Sequence, residues 1–414
     1  MPTINGKQFE SVRACPEREN WQDLIRRRVA LYDKPNDCRD PFERDYTRIL
    51  HSLAYRRLKH KTQVFFNIEN DHICTRMEHV AHVESVACTI AKDLGLSVEL
   101  TRAIAIGHDL GHAPFGHQGE RELSALQEKY LGTKFFHERN GLRFVDDIEL
   151  LEDDYRVCRN LDLTYAVRDG IISHCGEVDE NGLKPRKDYI DLEKEYLSVG
   201  QFQPYTWEGC VVKLSDKIAY VGRDIEDARR LGFLTDENMD ALTALAREYD
   251  KMAINTTVII HNMIYDVCKN SSPEKGVRLS ETFARQLEEI KRFNYEYIYR
   301  NKRLEPFTAY AKVVIGQIFD VLLDAYRGEE TIEELRRRAA YYPGLMNAFA
   351  DWLSKFCEPG LSLFENREKL ANYVNNKIYG RLETEELYVQ AILDFISGMS
   401  DTYCIKVFNE LITY

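Results

Sequence analysis

No stretch of this 414-residue chain approaches the roughly 18 consecutive apolar residues of a membrane span, and the opening MPTINGKQFESVRACPEREN lacks the apolar core of a secretion signal. A cytoplasmic protein with no membrane partner is therefore expected. The ten cysteines are scattered with no CxxC pair, so neither a zinc-finger pattern nor a disulfide framework is expected, and reduced, mostly buried thiols are. Positive charge is in deficit, with 56 Lys+Arg against 68 Asp+Glu and a net charge of -12. That balance excludes sequence-independent binding of nucleic acid or anionic membrane by the whole surface, but not a local basic pocket. Strand-like alternation is almost absent, and there is no repeat period or low-complexity tract.

What is present is helix. With 44% hydrophobic and 30% charged residues the chain is globular, and surface scaling lets it bury about three-quarters of its unfolded surface. Phe42, Tyr46, Ile49, Leu50 and Leu53 form one apolar face between 42 and 58, with Arg44, Arg48, Arg56 and Arg57 among the polar positions. Val80, Val83, Val86, Ile90 and Leu94 form a second helix ending near Gly95. Leu100, Ala103, Ile104 and Ile106 form a third running into Gly107. The loop GHDLGHAPFGH interrupts the pattern with three glycines and Pro114, and helix resumes over 118–131. Further helices are expected over 163–174, 209–231, 237–269, 280–298, 308–327 and 384–411, and a small hairpin over TQVFFNIENDHICTR with its turn at 69–71. No linker forces a domain cut. The expected layout is an N-terminal arm (1–41), a core (42–235) and a C-terminal helical region packed on it (236–414).

Six of the eleven histidines, His72, His79, His82, His108, His112 and His117, fall within 46 residues, where even scattering would place about one. Any one of them is most simply a surface or hydrogen-bonded core residue, but the grouping calls for a common cause. His79 begins one helix, the His108-Asp109 pair ends the next, and the glycine-rich turn lets His112 and His117 fold back. Imidazole with carboxylate is a ligand set for a divalent cation of the Zn, Mn, Fe or Mg kind. A further ligand is available on VVKLSDKIAYVGRDIEDARRLG, where Asp216, Tyr220, Asp224 and Asp227 share one helix face. On spacing alone, a salt-bridged solvated face is the commoner origin of such a pattern.

These residues resemble the HD-domain superfamily, whose pattern is a His, a His-Asp doublet and a distant Asp, and within it the deoxynucleoside triphosphate triphosphohydrolases of the dGTPase branch. The resemblance runs through RDYTRILHSLAYRRLKHKTQVF (44–65), TRMEH (75–79), GHDLGHAPFGHQGE (107–120), SHCGE (173–177), DKIAYVGRDIEDA (216–228) and DFISGMSDTY (394–403), in the family's order over nearly the whole chain. It implies an all-α fold: an HD-domain helical core with additional C-terminal helices and at most a small β-hairpin. It implies one divalent metal per site on His79, His108, Asp109 and Asp216. His117 and Glu120 match the family's catalytic His and its carboxylate partner, and His112 and His137 its phosphate-site lining. Arg76 and Lys217 match its α-phosphate contacts. Gln63 and Asp224 match the pair that hydrogen-bonds the 3'-hydroxyl, while Val64 and Tyr220 would close over the deoxyribose.

The activity implied is metal-dependent hydrolysis of a deoxynucleoside triphosphate, dGTP first, to the deoxynucleoside and tripolyphosphate, with control of the dNTP pool as its purpose. Also implied are a homo-oligomer, a hexamer for preference, and a nucleotide effector or single-stranded nucleic acid as further partner. Two alternatives stand beside it. One is another HD phosphohydrolase acting on monophosphates, cyclic nucleotides or alarmones, and the other a non-catalytic nucleotide sensor or nucleic-acid-binding regulator.

Overall fold

Helix starts in this chain are marked by hydroxyl side chains. Ser52, Thr75, Ser97, Thr206, Ser280, Thr384 and Ser400 each precede a helix and accept a hydrogen bond from the backbone N–H three residues on. Each bond satisfies a donor that the first turn leaves unpaired. At Thr75 the arrangement is reciprocal, since the Glu78 carboxylate accepts the Thr75 N–H at 2.8 Å. The structure, a computed structural model, describes residues 6–29, 37–65, 70, 72–175, 181–249, 256–358 and 370–413.

In chain order the described helices are α1 (Trp21–Leu24), α2 (Pro41–His51), α3 (Leu53–Arg57), α4 (Arg76–Leu94), α5 (Val98–Gly107), α6 (Gly116–Leu131), α7 (His137–Arg143), α8 (Tyr165–Ser173) and α9 (Trp207–Arg230). They continue as α10 (Asp236–Tyr249), α11 (Thr256–Asn270), α12 (Glu281–Asn294), α13 (Glu305–Leu323), α14 (Thr331–Arg338), α15 (Pro343–Phe356), α16 (Glu385–Ser397) and α17 (Asp401–Ile412). Among the described residues, strand is limited to β1 (Leu150–Glu152) and β2 (Cys158–Asn160), antiparallel with Leu150 opposite Asn160. The fold is all-α with one small hairpin.

The hairpin expected over 62–76 is a different one and lies in part outside the described residues. Residues 66–69 and 71 lie outside the described set, and the described remainder forms no strand before α4. Thr62 gives its N–H and hydroxyl to the Asp401 carboxylate at 3.1 and 2.7 Å. The expected helix over 42–58 breaks at Ser52, whose extended backbone (φ -66, ψ 152) caps α3. Leu50 and Leu53 are exposed, whereas Arg48 is buried because it donates to Asp45 and to the Asp162 carbonyl. The span 384–411 is likewise two helices, because Ser400 starts α17 afresh. The span 237–269 contains α10 and α11, with 250–255 outside the described residues.

The chain forms two units, each assembled from three segments: residues 1–50, 68–109 and 162–305, and residues 51–67, 110–161 and 306–414. In the first, α4, α5, α8, α9 and α11 pack together. Val83 and Ile90 of α4, Ile104 of α5, Ile171 of α8 and Ile218 of α9 are fully buried. Truncating such a residue to Ala costs about 2–5 kcal/mol. Glu208, also fully buried, accepts the backbone N–H groups of Ala14 (2.9 Å) and Ser97 (3.0 Å), tying the N-terminal arm to the start of α5.

In the second unit α16 packs on α6 and α14 on α15, and Tyr388 donates its hydroxyl to the Leu322 carbonyl at 2.7 Å. The segment Lys302–Leu323, most of it α13, has the length and mean hydropathy (1.3) of a membrane span. Its Ala311, Val314, Ile315, Ile318, Phe319 and Leu322 are buried, so one face of the helix packs inside the unit while Phe307 and Val313 are exposed.

Candidate functional site

The first unit gathers the acidic and imidazole ligands. His79 lies in the first turn of α4, His108 and Asp109 follow the end of α5, and Asp216 lies on α9. His79 Nε2 is 3.0 Å from Asp216 Oδ1, and His108 Nε2 is 3.3 Å from Asp109 Oδ1 and 3.9 Å from Asp216 Oδ1. The ligand atoms of His79, His108 and Asp216 all lie within 4.8 Å of one another. His108 directs Nδ1 at the Ala105 carbonyl, 2.6 Å away. A carbonyl only accepts, so the proton is on Nδ1 and the lone pair on Nε2.

That Nε2 makes no hydrogen bond among the described residues although it is fully buried. A buried lone pair set between two carboxylates has a natural complement in a cation, and the donor set fits a divalent ion of the Zn, Mn, Fe or Mg class. Burial works against charge on His79, but the hydrogen bond and charge of Asp216 outweigh it and raise its pKa. Burial pushes Asp216 the other way, yet the His79 hydrogen bond and the charges of His108 and His79 hold it well below the usual carboxylate range.

Arg76, the first residue of α4, is 1% exposed and donates Nη1 to Asp109 Oδ2 at 2.9 Å. Its Nε and Nη2 are buried without a hydrogen-bond partner among the described residues. Unpaired guanidinium donors are costly inside a protein, and oxyanions are what they bind best.

The second unit holds a different cluster. Glu120 of α6 accepts from His112 Nδ1 through Oε1 and from His137 Nδ1 through Oε2 at 3.2 Å, while His117 Nδ1 is 3.7 Å from Oε2. The His112 and His137 rings stack at 3.7 Å, and the His117 side chain is 68% exposed. The carboxylate thus serves His112 and His137 at hydrogen-bond distance, with His117 beyond them. Burial raises the Glu120 pKa, but the His112 and His137 charges take it well below its usual value. Gly111 makes the loop's approach to α7 feasible, because a Cβ there would fall 2.0 Å from the His137 carbonyl oxygen. Lys61 Nζ donates to the carbonyls of His112 and Ser397, and Asp401 accepts the Phe115 N–H at 2.9 Å, fixing both ends of the loop.

The remaining expected residues are distributed as follows. Lys217, Tyr220 and Asp224 lie on α9 with Asp216, and Asp224 is buried. Gln63 and Val64 are half-buried in the second unit. Asp227 accepts the Cys74 N–H at 2.9 Å, a structural task. His72 is exposed and His82 half-buried, and neither joins a ligand group among the described residues. Sequence reasoning missed Tyr299, whose hydroxyl donates to Asp224 Oδ2 at 2.5 Å. It lies 75 residues further along, in a π-turn after α12, and no local pattern links the two.

The HD-domain family matches residues 76–220, which begin at Arg76 and enclose all four proposed ligands. A phosphohydrolase-associated domain matches 277–344. A deoxyguanosinetriphosphate triphosphohydrolase-like protein of Clostridium tetani is 31% identical over 407 residues, covering 98% of this chain and 94% of that one. Another, of Caldanaerobacter subterraneus, is 34% identical over 377 residues, covering 91% and 86%. The chain belongs to the HD superfamily, in its dGTPase-like family. A similarly named relative from Rickettsia canadensis is 29% identical over 405 residues, covering 94% of this chain and 98% of its own. For an HD protein of this family, the His/Asp clusters are the machinery of metal-dependent phosphohydrolysis on a nucleotide substrate.

Proposed function

We propose that this protein hydrolyses deoxynucleoside triphosphates, dGTP first among them, to the deoxynucleoside and tripolyphosphate. The observation that carries the reading is Arg76: a buried guanidinium beside the proposed His/Asp ligands with two nitrogens, Nε and Nη2, unpaired among the described residues, suited to a phosphate oxygen. The printed names of the relatives point the same way.

His79, His108, Asp109 and Asp216 hold one divalent ion, which when bound polarises the α-phosphate and lowers the pKa of a water. Arg76 and Lys217 bind the α-phosphate oxygens, and His112 and His137 line the polyphosphate path. His117, with Glu120 as its carboxylate partner, moves a proton to or from the reacting oxygens. Asp224, held by Tyr299, pairs with Gln63 on the 3'-hydroxyl, and Tyr220 with Val64 leaves no room for a 2'-hydroxyl. A homo-oligomer belongs to the same reading and is checked by light scattering.

The test is to incubate the pure protein with each dNTP and rNTP and a divalent metal, with and without EDTA. The reading expects tripolyphosphate from dNTPs only, abolished by chelation. Release of pyrophosphate or inorganic phosphate would identify another phosphohydrolase, and binding without turnover a sensor.

A further inference from the structure

The SHCGE motif contributes a histidine to which the proposed reaction gives no task. His174 follows α8 as His108 follows α5: each is the residue just past its helix, with right-handed helical backbone. Each directs Nδ1 at the carbonyl three residues back, His108 at Ala105 (2.6 Å) and His174 at Ile171 (2.7 Å). The same tautomer follows for both, with the lone pair on Nε2.

The two helix ends are brought together by a reciprocal fit. A Cβ on Gly107 would fall 2.9 Å from Ile171 Cδ1, and a Cβ on Gly170 would fall 2.6 Å from Ile104 Cδ1. The small residue of each helix receives the isoleucine of the other, and the imidazoles that follow meet edge to face at 5.0 Å. His174 is 1% exposed. Ligand atoms of His108, Asp109 and His174 all lie within 4.8 Å of one another, a second triad sharing His108 with the first. Two ligands each about 2.1 Å from one ion can stand up to about 4.2 Å apart, so small side-chain adjustments suffice. Two helix C-termini, the electronegative ends, also converge there, which favours a cation.

We propose that His174 is a ligand of the same divalent cation. The inference rests on the metal reading above and deepens it: a donor set of three imidazoles and two carboxylates selects Mn, Fe, Co or Zn over Mg, which prefers all-oxygen ligands.

The experiment strips the full-length protein with EDTA, titrates it with Mn²⁺ by EPR, and counts the coupled imidazole nitrogens by pulsed EPR. Wild type, His174→Ala and His174→Gln are compared, with His108→Ala as control. The expected result is three coupled imidazoles in wild type and two in the His174 variants, with Mn²⁺ affinity lowered at least about 10-fold. Metal-free variants should melt within a few degrees of wild type. The wild-type count needs no variant, so a folding defect does not shield the proposal. Two imidazoles in wild type, or unchanged affinity in the variants, overturns the role of His174 and leaves the metal reading intact. Wild type that binds no Mn²⁺ overturns both.

Discussion

The two histidine clusters differ in their charge balance. In the first unit, Asp109 and Asp216 meet His79 and His108, with Arg76 paired to Asp109, so carboxylate charge is in excess around imidazole lone pairs. In the second, Glu120 faces His112, His137 and His117, and the buried Glu138 carboxylate stands 3.7 Å from His137. The first arrangement is completed by adding a cation. In the second, the charges of His112 and His137 hold the Glu120 carboxyl well below its usual value and so keep it ionised. In the reading proposed above, side-chain chemistry that looks alike in sequence is divided between metal ligation and proton handling.

The strongest way to break that division is to remove a carboxylate from the cation side. Asp216→Ala should abolish stoichiometric metal binding and reduce turnover to background, since it removes a ligand and the hydrogen-bond partner of His79 together. Metal content by mass spectrometry alongside tripolyphosphate release checks it, and full metal content in the variant would assign the distant ligand elsewhere. On the proton side, His117→Ala should leave metal content unchanged and lower kcat by roughly 10² to 10⁴. Glu120→Ala should act in the same direction and non-additively with it, because both work through one proton-handling group. A His117→Ala enzyme with unchanged kcat moves the proton role to His112, the imidazole that Glu120 contacts most closely.

Much of this was legible in the sequence because it is local or carried by a motif. Helix starts follow Ser and Thr caps, and three of the four proposed ligands, His79, His108 and Asp109, fall at helix termini whose positions the apolar periodicity sets, while Asp216 lies within α9. What was not legible depends on long-range partners. Arg48 reads as a polar face and is buried because Asp162, 114 residues away, offers its carbonyl. Thr62 gives its hydroxyl to Asp401, 339 residues away, a partner that no local pattern announces. His174 was visible within SHCGE, but its relation to His108 exists only because Gly107 and Gly170 let α5 and α8 close on each other. Periodicity reports which side of a helix is apolar, not which helix covers it.

A finer test of the cation-side unit concerns Tyr299. Its hydroxyl fixes Asp224, and a hydrogen bond to a charged group is worth about 1.5–3 kcal/mol, so Tyr299→Phe should lower kcat/KM for dGTP roughly 10- to 100-fold. The 3'-deoxy analogue should lose less, because the 3'-hydroxyl that Asp224 would accept is already missing. Equal losses for both nucleotides would reduce Tyr299 to packing.

The smallest expected effect is on stability, and it tests whether the second cluster handles protons as its composition says. His112 and His137 hold the pKa of Glu120 well below the ordinary carboxylate value, so the folded state keeps the charge where the unfolded chain would protonate it. A depressed carboxylate pKa contributes stability above the unfolded value of about 4.3, and that contribution is lost as pH falls from there toward the folded value. Glu120→Gln removes the titrating group. Its melting temperature should therefore lie below wild type at pH 6, by roughly 1 °C if about 1 kcal/mol is involved, and the gap should close as pH is lowered from 5 to 3. A gap that stays constant across that range would mean that the carboxylate contributes hydrogen bonds but no charge, and the contrast between the two clusters would then rest on the metal ligands alone.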